Sequence, residues 1–230
     1  MPTPHAPRQE FRRDVIAAAR NGEWSIAAIG MLERSRDNLD RMVTPGHSLP
    51  REPDAVVSCC RGQWLVCAAT ITERKRILEL AEAAVVAKTP VWIIGKPYAD
   101  SDRYGQRFVA LSRQNPQIIR YEGAISERAL LARIYREARG FVLLSTMESL
   151  SLSALEAAAC ECPLLLSDLP WARTTFKEEA SYCPIASTFE TAACLRKFYD
   201  SAPNLGTPSK PPSWSEIARQ LKAIYEGVLR

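Results

Sequence analysis

The sequence predicts an α/β fold: a doubly wound, Rossmann-like parallel sheet preceded by a short helical segment. Three observations predict it. From about residue 63 onward, short apolar runs alternate with segments of helical periodicity, the pattern of a parallel sheet covered by helices on both faces. The runs themselves, such as Val91-Trp-Ile-Ile94 and Phe141-Val-Leu-Leu144, are continuously apolar. Finally, the run Phe141–Leu144 is followed by an acid, Glu148, a serine-rich turn, and a helix-forming segment that carries a second acid, Glu156. In a doubly wound sheet with right-handed crossovers, ligands bind beyond the carboxyl ends of the strands at the switch point. Two acids placed there point into one crevice.

The elements follow in order. Trp64–Ala69 is the first strand, and Glu73–Ala87 is a helix with Ile77, Leu78, Leu80 and Ala84 as its apolar positions. Pro90–Ile94 is the second strand, ended by the loop signal Gly95-Lys-Pro97. A helix over Asp102–Arg113 leads to a third strand, Gln117–Tyr121, and a helix over Ser126–Ala138 to a fourth, Phe141–Leu144. A helix over Ser153–Cys160, a fifth strand at Leu164–Ser167, a short sixth at Tyr182–Ile185 and a helix over Thr188–Tyr199 complete the series. Residues 61–200 therefore form the sheet domain and 201–212, rich in Pro, Ser and Gly, a linker. Residues 213–230 form a final helix opened by the capping box Ser213-Trp-Ser-Glu216, with Ile217, Leu221, Ile224 and Val228 on one stripe. Residues 1–60 supply no second alternating sheet. Phe11–Arg20 and Met31–Leu39 read as helices and Val43–Pro53 as a proline-punctuated connector.

Composition narrows the function classes. The chain is 47% hydrophobic and 24% charged, with a net charge of +4, ordinary for a globular protein. That charge permits an anionic ligand, and no basic stretch alternates with aromatics, so nucleic acid is not an expected partner. No apolar run is long enough to span a bilayer, and the N-terminus lacks the apolar core of a secretory signal. The seven cysteines are odd in number and poorly spaced for a disulfide framework or a zinc site. They read as buried thiols in a reducing compartment, which places the protein in the cytoplasm or peripherally at the inner face of a membrane. There is no GxGxxG or Walker loop. The two histidines, His5 and His47, lie outside the sheet region, which argues against a Ser-His-Asp triad.

Glu156 has two readings. Ser153-Ala-Leu-Glu156 fits a capping box, with the acid reaching back to the cap. Alternatively the carboxylate accepts hydrogen bonds from a diol such as a ribose. Glu148 sits at the carboxyl edge of the sheet, where binding residues gather. Between them, Ser149-Leu150-Ser151-Leu152 leads into a helix N-terminus, an anion site by virtue of its free N–H donors and dipole. Ala69-Thr70-Ile-Thr-Glu-Arg74-Lys75-Arg76 crowds three cations at the start of the first helix. Positive charge there is unfavourable by roughly 0.3–1 kcal/mol each. Either the side chains splay into water or an anionic ligand answers them, with Lys75 the charge that meets a phosphate.

Together these residues resemble the C-terminal, donor-binding domain of retaining GT-B glycosyltransferases, the group 1 family. The resemblance rests on Ala69-Thr-Ile-Thr-Glu-Arg-Lys75, Val91-Trp-Ile-Ile-Gly95, Tyr121-Glu-Gly123, the Glu148-x7-Glu156 signature with Ala157-Ala-Ala-Cys-Glu-Cys-Pro163 and Ser167-Asp168, and Ser213-Trp-Ser-Glu216 with Tyr225. It covers about residues 63–230. It implies a nucleotide-sugar donor, such as a UDP- or GDP-sugar, and glycosyl transfer with retention of configuration, of the hexosyltransferase type, with no bound cofactor or metal. It implies that Lys75, with Arg74 and Thr70 beside it, meets the diphosphate. Glu148 is the catalytic residue that hydrogen-bonds the sugar hydroxyls, the Ser149–Leu152 amides cradle phosphate, Glu156 holds the ribose and Ile125 lines the base pocket.

The chain departs from the family pattern at Thr70, where an arginine is common, and at Ser151 and Glu161, where glycines are common. Thr70 and Ser151 are expected to weaken donor binding, and Glu161 to strain a turn that prefers positive φ. The first 60 residues are short for an acceptor domain, which would need on the order of 100–200. They read as a remnant of one, with Val43–Pro50 as its connector. The acceptor, whether glycan, lipid or small molecule, is left open. The alternative to a complete enzyme is a non-catalytic nucleotide-sugar-binding module or truncated subunit that needs a separate N-terminal domain. In either case the stripe on the final helix is expected to drive self-association.

Overall fold

The computed structural model describes residues 62–99 and 101–228, which fall into two units, 62–211 and 212–228. The expected helices over Phe11–Arg20 and Met31–Leu39, the connector at Val43–Pro53, Cys59, Cys60 and both histidines lie outside the described residues.

The larger unit is a six-stranded, all-parallel sheet. Its strands are β1 (Leu65–Ala68), β2 (Val91–Ile94), β3 (Ile119–Tyr121), β4 (Gly140–Leu143), β5 (Leu164–Ser167) and β6 (Ser181–Cys183). They lie in the order β3-β2-β1-β4-β5-β6. The winding reverses between β1 and β4, where Leu65 pairs with Val91 on one side and Gly140 on the other. That reversal is the switch point at which such sheets bind ligands. The apolar continuity of the strands has its cause here: every residue of β2, β4 and β5 is buried, because both sheet faces are covered.

The covering helices are α1 (Ile77–Ala87), α2 (Arg103–Gln114), α3 (Arg128–Glu137), α4 (Leu152–Ala159), α5 (Pro170–Phe176) and α6 (Thr188–Ser201). Their starts follow local chemistry. Asp102 accepts hydrogen bonds from the Tyr104 and Gly105 amides, and Ser187 and Glu190 form a reciprocal capping box. Trp92, Tyr135, Phe108 and Phe141 are the largest fully buried side chains, so the core lies on both faces of the sheet.

Three expectations need correction. The helix expected over Glu73–Ala87 is two pieces: a 3-10 turn, Glu73–Lys75, and then α1. Arg76 separates them in a left-handed conformation, φ 52°; the apolar periodicity that suggested one helix begins only at Ile77. Helix α5 was not expected, although Pro170 at its first position is a recognised start signal. The helix expected to end at Tyr199 runs to Ser201, and a further 3-10 turn, Ala202–Asn204, occupies the start of the expected linker, with Ala202 buried.

The second unit contributes α7 (Trp214–Val228). Its capping box forms as the sequence predicts: the Glu216 amide donates to Ser213 Oγ at 3.3 Å, and the Ser213 amide to Glu216 Oε2 at 2.7 Å. Leu221, Ile224 and Tyr225 on this helix are exposed. No helix among the described residues is long and apolar enough to cross a membrane.

Candidate functional site

Two turns meet at the carboxyl edge of the switch point. After β1 the chain is held close to the sheet: buried Ile71 donates its amide to the Lys96 carbonyl at 3.0 Å and bridges Pro97. Gly95, which follows β2, permits this approach. A Cβ there would sit 1.9 Å from the Ala69 carbonyl oxygen, inside contact distance for any side chain. The 3-10 turn then presents Arg74 and Lys75 toward the turn that follows β4.

That second turn is tied to the first by the Arg74 carbonyl, which accepts from the Thr146 amide at 2.9 Å. The buried Ser145 hydroxyl lies 3.1 Å from both the Arg74 and Met147 carbonyls. The Ser145 carbonyl in turn accepts from Ser167 Oγ at 2.6 Å and from Trp171 Nε1 at 3.2 Å. Segments more than 70 residues apart are thereby fixed against each other before any ligand arrives.

The product of this bracing is a three-residue charge cluster. Lys75 Nζ donates to Glu148 Oε1, and Arg74 stands 3.3 Å from Glu148 Oε2 while donating to the Met147 carbonyl at 2.5 Å. The Glu148 side chain is 7% exposed and that of Lys75 15%, whereas Arg74 is 46% exposed. Burial by itself pushes the Glu148 carboxyl up, but the Lys75 and Ser145 hydrogen bonds and the charges of Lys75 and Arg74 outweigh it, so the group lies below its ordinary range. Glu148 is therefore an ionised acceptor at neutral pH, unsuited to donating a proton. The expected conflict between cations and a helix start is resolved partly from within: Lys75 turns inward to Glu148 rather than into water, and Arg74 keeps an outward face.

Helix α4 starts directly after this cluster. Ser151 is its N-cap and accepts from the Ala154 amide at 3.4 Å. The amides of Leu152 and Ser153, at the first two helical positions, have no intrahelical acceptor. Ser149 is exposed, as are Leu150 and Leu152, while Ser151 is buried. The helix thus offers free donors and the positive end of its dipole next to Arg74 and Lys75, an arrangement suited to phosphate.

The capping-box reading of Glu156 is overturned. Because the cap is Ser151, not Ser153, Glu156 lies two residues beyond the position from which an acid reaches back to the cap. Its carboxylate instead pairs with Arg128, at the first position of α3, with Arg128 NH1 2.9 Å from Glu156 Oε1. The Glu156 side chain is 12% exposed. Burial raises its pKa, and the Arg128 charge only partly opposes that rise.

The remaining expected site residues are more peripheral. Thr70 is exposed between β1 and the 3-10 turn, and Ile125 is half-buried in the loop after β3. That loop is anchored to the same edge through the Gly123 carbonyl, which accepts from the Gly95 amide at 3.0 Å. Sequence reasoning missed Ser145, Ser167 and Trp171, whose pairings are distant in the chain, and Arg128. A cation at the first position of a helix is poorly placed for the helix dipole, and that was the available signal for Arg128. Glu161 does occupy a left-handed position, φ 61°, as expected of a residue standing where glycine is common. Among the described residues no group of three or more His, Cys, Asp or Glu side chains gathers to hold a metal. A cavity of about 470 Å³ lies against β3, lined by residues between Val109 and Glu122.

The sequence profile of the family described as Glycosyl transferases group 1 matches residues 62–200. No curated protein matches the chain. Among solved structures, the pneumococcal O-GlcNAc transferase GtfA, in complex with UDP and GlcNAc, is similar at 22% identity and a TM-score of 0.55, over 76% of this chain and 37% of that one. The C-terminal domain of a glycosyl transferase group 1 family protein, LpcC, from Francisella tularensis is similar at 19% identity and a TM-score of 0.55, over 70% of this chain and 86% of that domain. Anabaena Alr3699/HepE, in complex with UDP-glucose, is similar at 12% identity and a TM-score of 0.57, over 79% of this chain and 52% of that one. These likenesses establish the α/β fold, and the chain spans only part of the two longer proteins. The profile match extends over more than half of the 230 residues, and the chain belongs to the group 1 glycosyltransferase family.

Proposed function

We propose that the sheet domain binds a nucleotide-sugar donor, such as a UDP- or GDP-sugar, and that the protein transfers the sugar, a hexose, to an acceptor with retention of configuration. The observation that carries this reading is the grouping of Arg74 and Lys75 around Glu148 just before the N-terminus of α4, the helix that carries Glu156. Sugar transfer leaves a nucleoside diphosphate whose charge grows as the glycosidic bond breaks. Preorganised cations and backbone amides stabilise that charge without metal chemistry from these residues. Arg74 and Lys75 meet the diphosphate, together with the Ser149–Leu152 amides and with Thr70 at the margin. Glu148, held ionised, accepts hydrogen bonds from the transferred sugar, Glu156 takes the ribose diol, and Ile125 borders the base. The UDP and UDP-glucose bound to similar folds support a uridine nucleotide as the first donor to test. The free thiols Cys67, Cys160, Cys162, Cys183 and Cys194 support a reducing, cytoplasmic setting.

A second reading has its own observation. The described residues hold a single sheet and no histidine, so acceptor groups have to come from residues outside them or from a separate domain. The domain then acts as a donor-binding module. Calorimetric titration with UDP and GDP tests both readings: saturable binding that is lost in Lys75→Ala and Glu156→Ala supports them, and no binding of either nucleotide sinks them. Release of nucleoside diphosphate by the purified chain with an acceptor panel favours the complete enzyme. Release only after adding a separate acceptor domain favours the module.

A further inference from the structure

The Arg128–Glu156 pair has features that neither a surface ion pair nor a core salt bridge requires. Glu156 is nearly buried, Arg128 is about half exposed, and the two meet through one nitrogen and one oxygen. Glu156 Oε2 has no partner among the described residues, and burial raises the pKa of the carboxyl. A ribose diol that spans the carboxylate, one hydroxyl on each oxygen, needs Oε1 as well as Oε2. Oε1 is already occupied. Arg128 also stands at the first position of α3, where a cation opposes the helix dipole and its N-cap, Glu127, makes no side-chain capping bond. It is a poorly settled cation holding a carboxylate that the donor needs.

We propose that Arg128 is a placeholder for the ribose. It keeps Glu156 ionised and oriented while the site is empty, and the 2′- and 3′-hydroxyls displace it when the nucleotide binds. Donor binding is then an exchange of one guanidinium for two hydroxyls, and Arg128 is a positioning residue that lowers affinity for any nucleotide with a diol. This rests on the reading of Glu156 as the ribose acceptor.

The test compares UDP and GDP with their 2′,3′-dideoxy analogues, by calorimetry at mildly alkaline pH, on wild type and Arg128→Ala. Because the arginine is half exposed, the variant is expected to fold, and circular dichroism checks this. Since a single-contact pair to a half-exposed arginine is weak, the variant is expected to bind the ribonucleotide about two- to fivefold more tightly, with no change for the dideoxy analogue, which cannot displace the arginine. Unchanged or weaker ribonucleotide binding, or an equal gain for both ligands, overturns the exchange. If wild type binds the dideoxy analogue as well as the ribonucleotide, the ribose reading itself fails and the exchange falls with it. If wild type prefers the diol but the variant gains nothing, only the exchange is lost.

Discussion

Glu148 and Glu156 sit eight positions apart, yet their surroundings push them in opposite directions. Glu148 lies under Lys75 and Arg74, and its pKa falls; Glu156 has one half-exposed partner, and its pKa rises. The difference is one of bracing. Glu148 belongs to a cluster that Ser145, Ser167 and Trp171 hold in place, whereas Glu156 depends on a single arginine from another helix. The first acid is fixed by several braced partners, and the second by one ion pair.

Lys75→Ala breaks this contrast most severely. It removes the charge proposed to meet the phosphate and strands Glu148, 7% exposed, without its main partner. Stability is expected to fall by about 1–3 kcal/mol, read from urea midpoints, and nucleotide affinity by about two orders of magnitude, the scale of a lost charge-assisted hydrogen bond. Wild-type stability in this variant would show that the Lys75–Glu148 pair contributes nothing to the fold.

The next test compares Glu148→Gln with Glu156→Gln in thermal unfolding across acid to neutral pH. Glu148 has a lowered folded pKa, so its contribution is present above the unfolded carboxylate value and is lost as pH falls toward the folded one. Glu156 has a raised folded pKa, so its contribution is present below the unfolded value and is lost as pH rises through the folded one. At neutral pH, Glu148→Gln is expected to lower the melting temperature and Glu156→Gln to leave it unchanged or raise it slightly. Equal losses in both variants would contradict the contrast.

Ser145→Ala sharpens the bracing argument. Its buried hydroxyl joins the two turns, and its loss is expected to cost about 1 kcal/mol, with weaker nucleotide binding although no ligand-facing group has changed. The smallest effect is expected at the far end of α4. Glu161 is strained at φ 61°, and its pair with Lys210 is more than half exposed on both sides. Relief of that strain, less the entropy of glycine, predicts that Glu161→Gly stabilises by up to about 1 kcal/mol.

Much of this was legible in the sequence, for reasons that also mark where legibility ends. Strands β1, β2, β4 and β5 were marked by continuous apolar runs, because the interior of a parallel sheet is covered on both faces, whereas the edge strands β3 and β6 are only partly buried and carry a weaker signal. Lys75, Glu148 and Glu156 were identifiable by their position at strand ends and helix starts. Their pairings were not. Lys75 meets Glu148 across 73 residues, and Arg128 meets Glu156 across 28; such partners follow from how loops converge on an edge, which local spacing does not encode. The capping-box reading of Glu156 failed for a related reason. Ser151 and Ser153 are equally good caps in isolation, and the length of the turn after β4 decides between them. Arg76 escaped notice because a cation-rich 3-10 turn and a following helix share one continuous polar-apolar pattern, and the left-handed residue that divides them leaves no mark on it.

We propose that Glu156 grips the ribose while Glu148 serves the sugar and phosphate end. The most direct measurement is the affinity ratio between a nucleoside diphosphate and its 2′,3′-dideoxy analogue in wild type, Glu148→Gln and Glu156→Gln. The account predicts a clear preference for the diol in wild type and in Glu148→Gln, and none in Glu156→Gln. A preference that survives in Glu156→Gln, or disappears in Glu148→Gln, would contradict it.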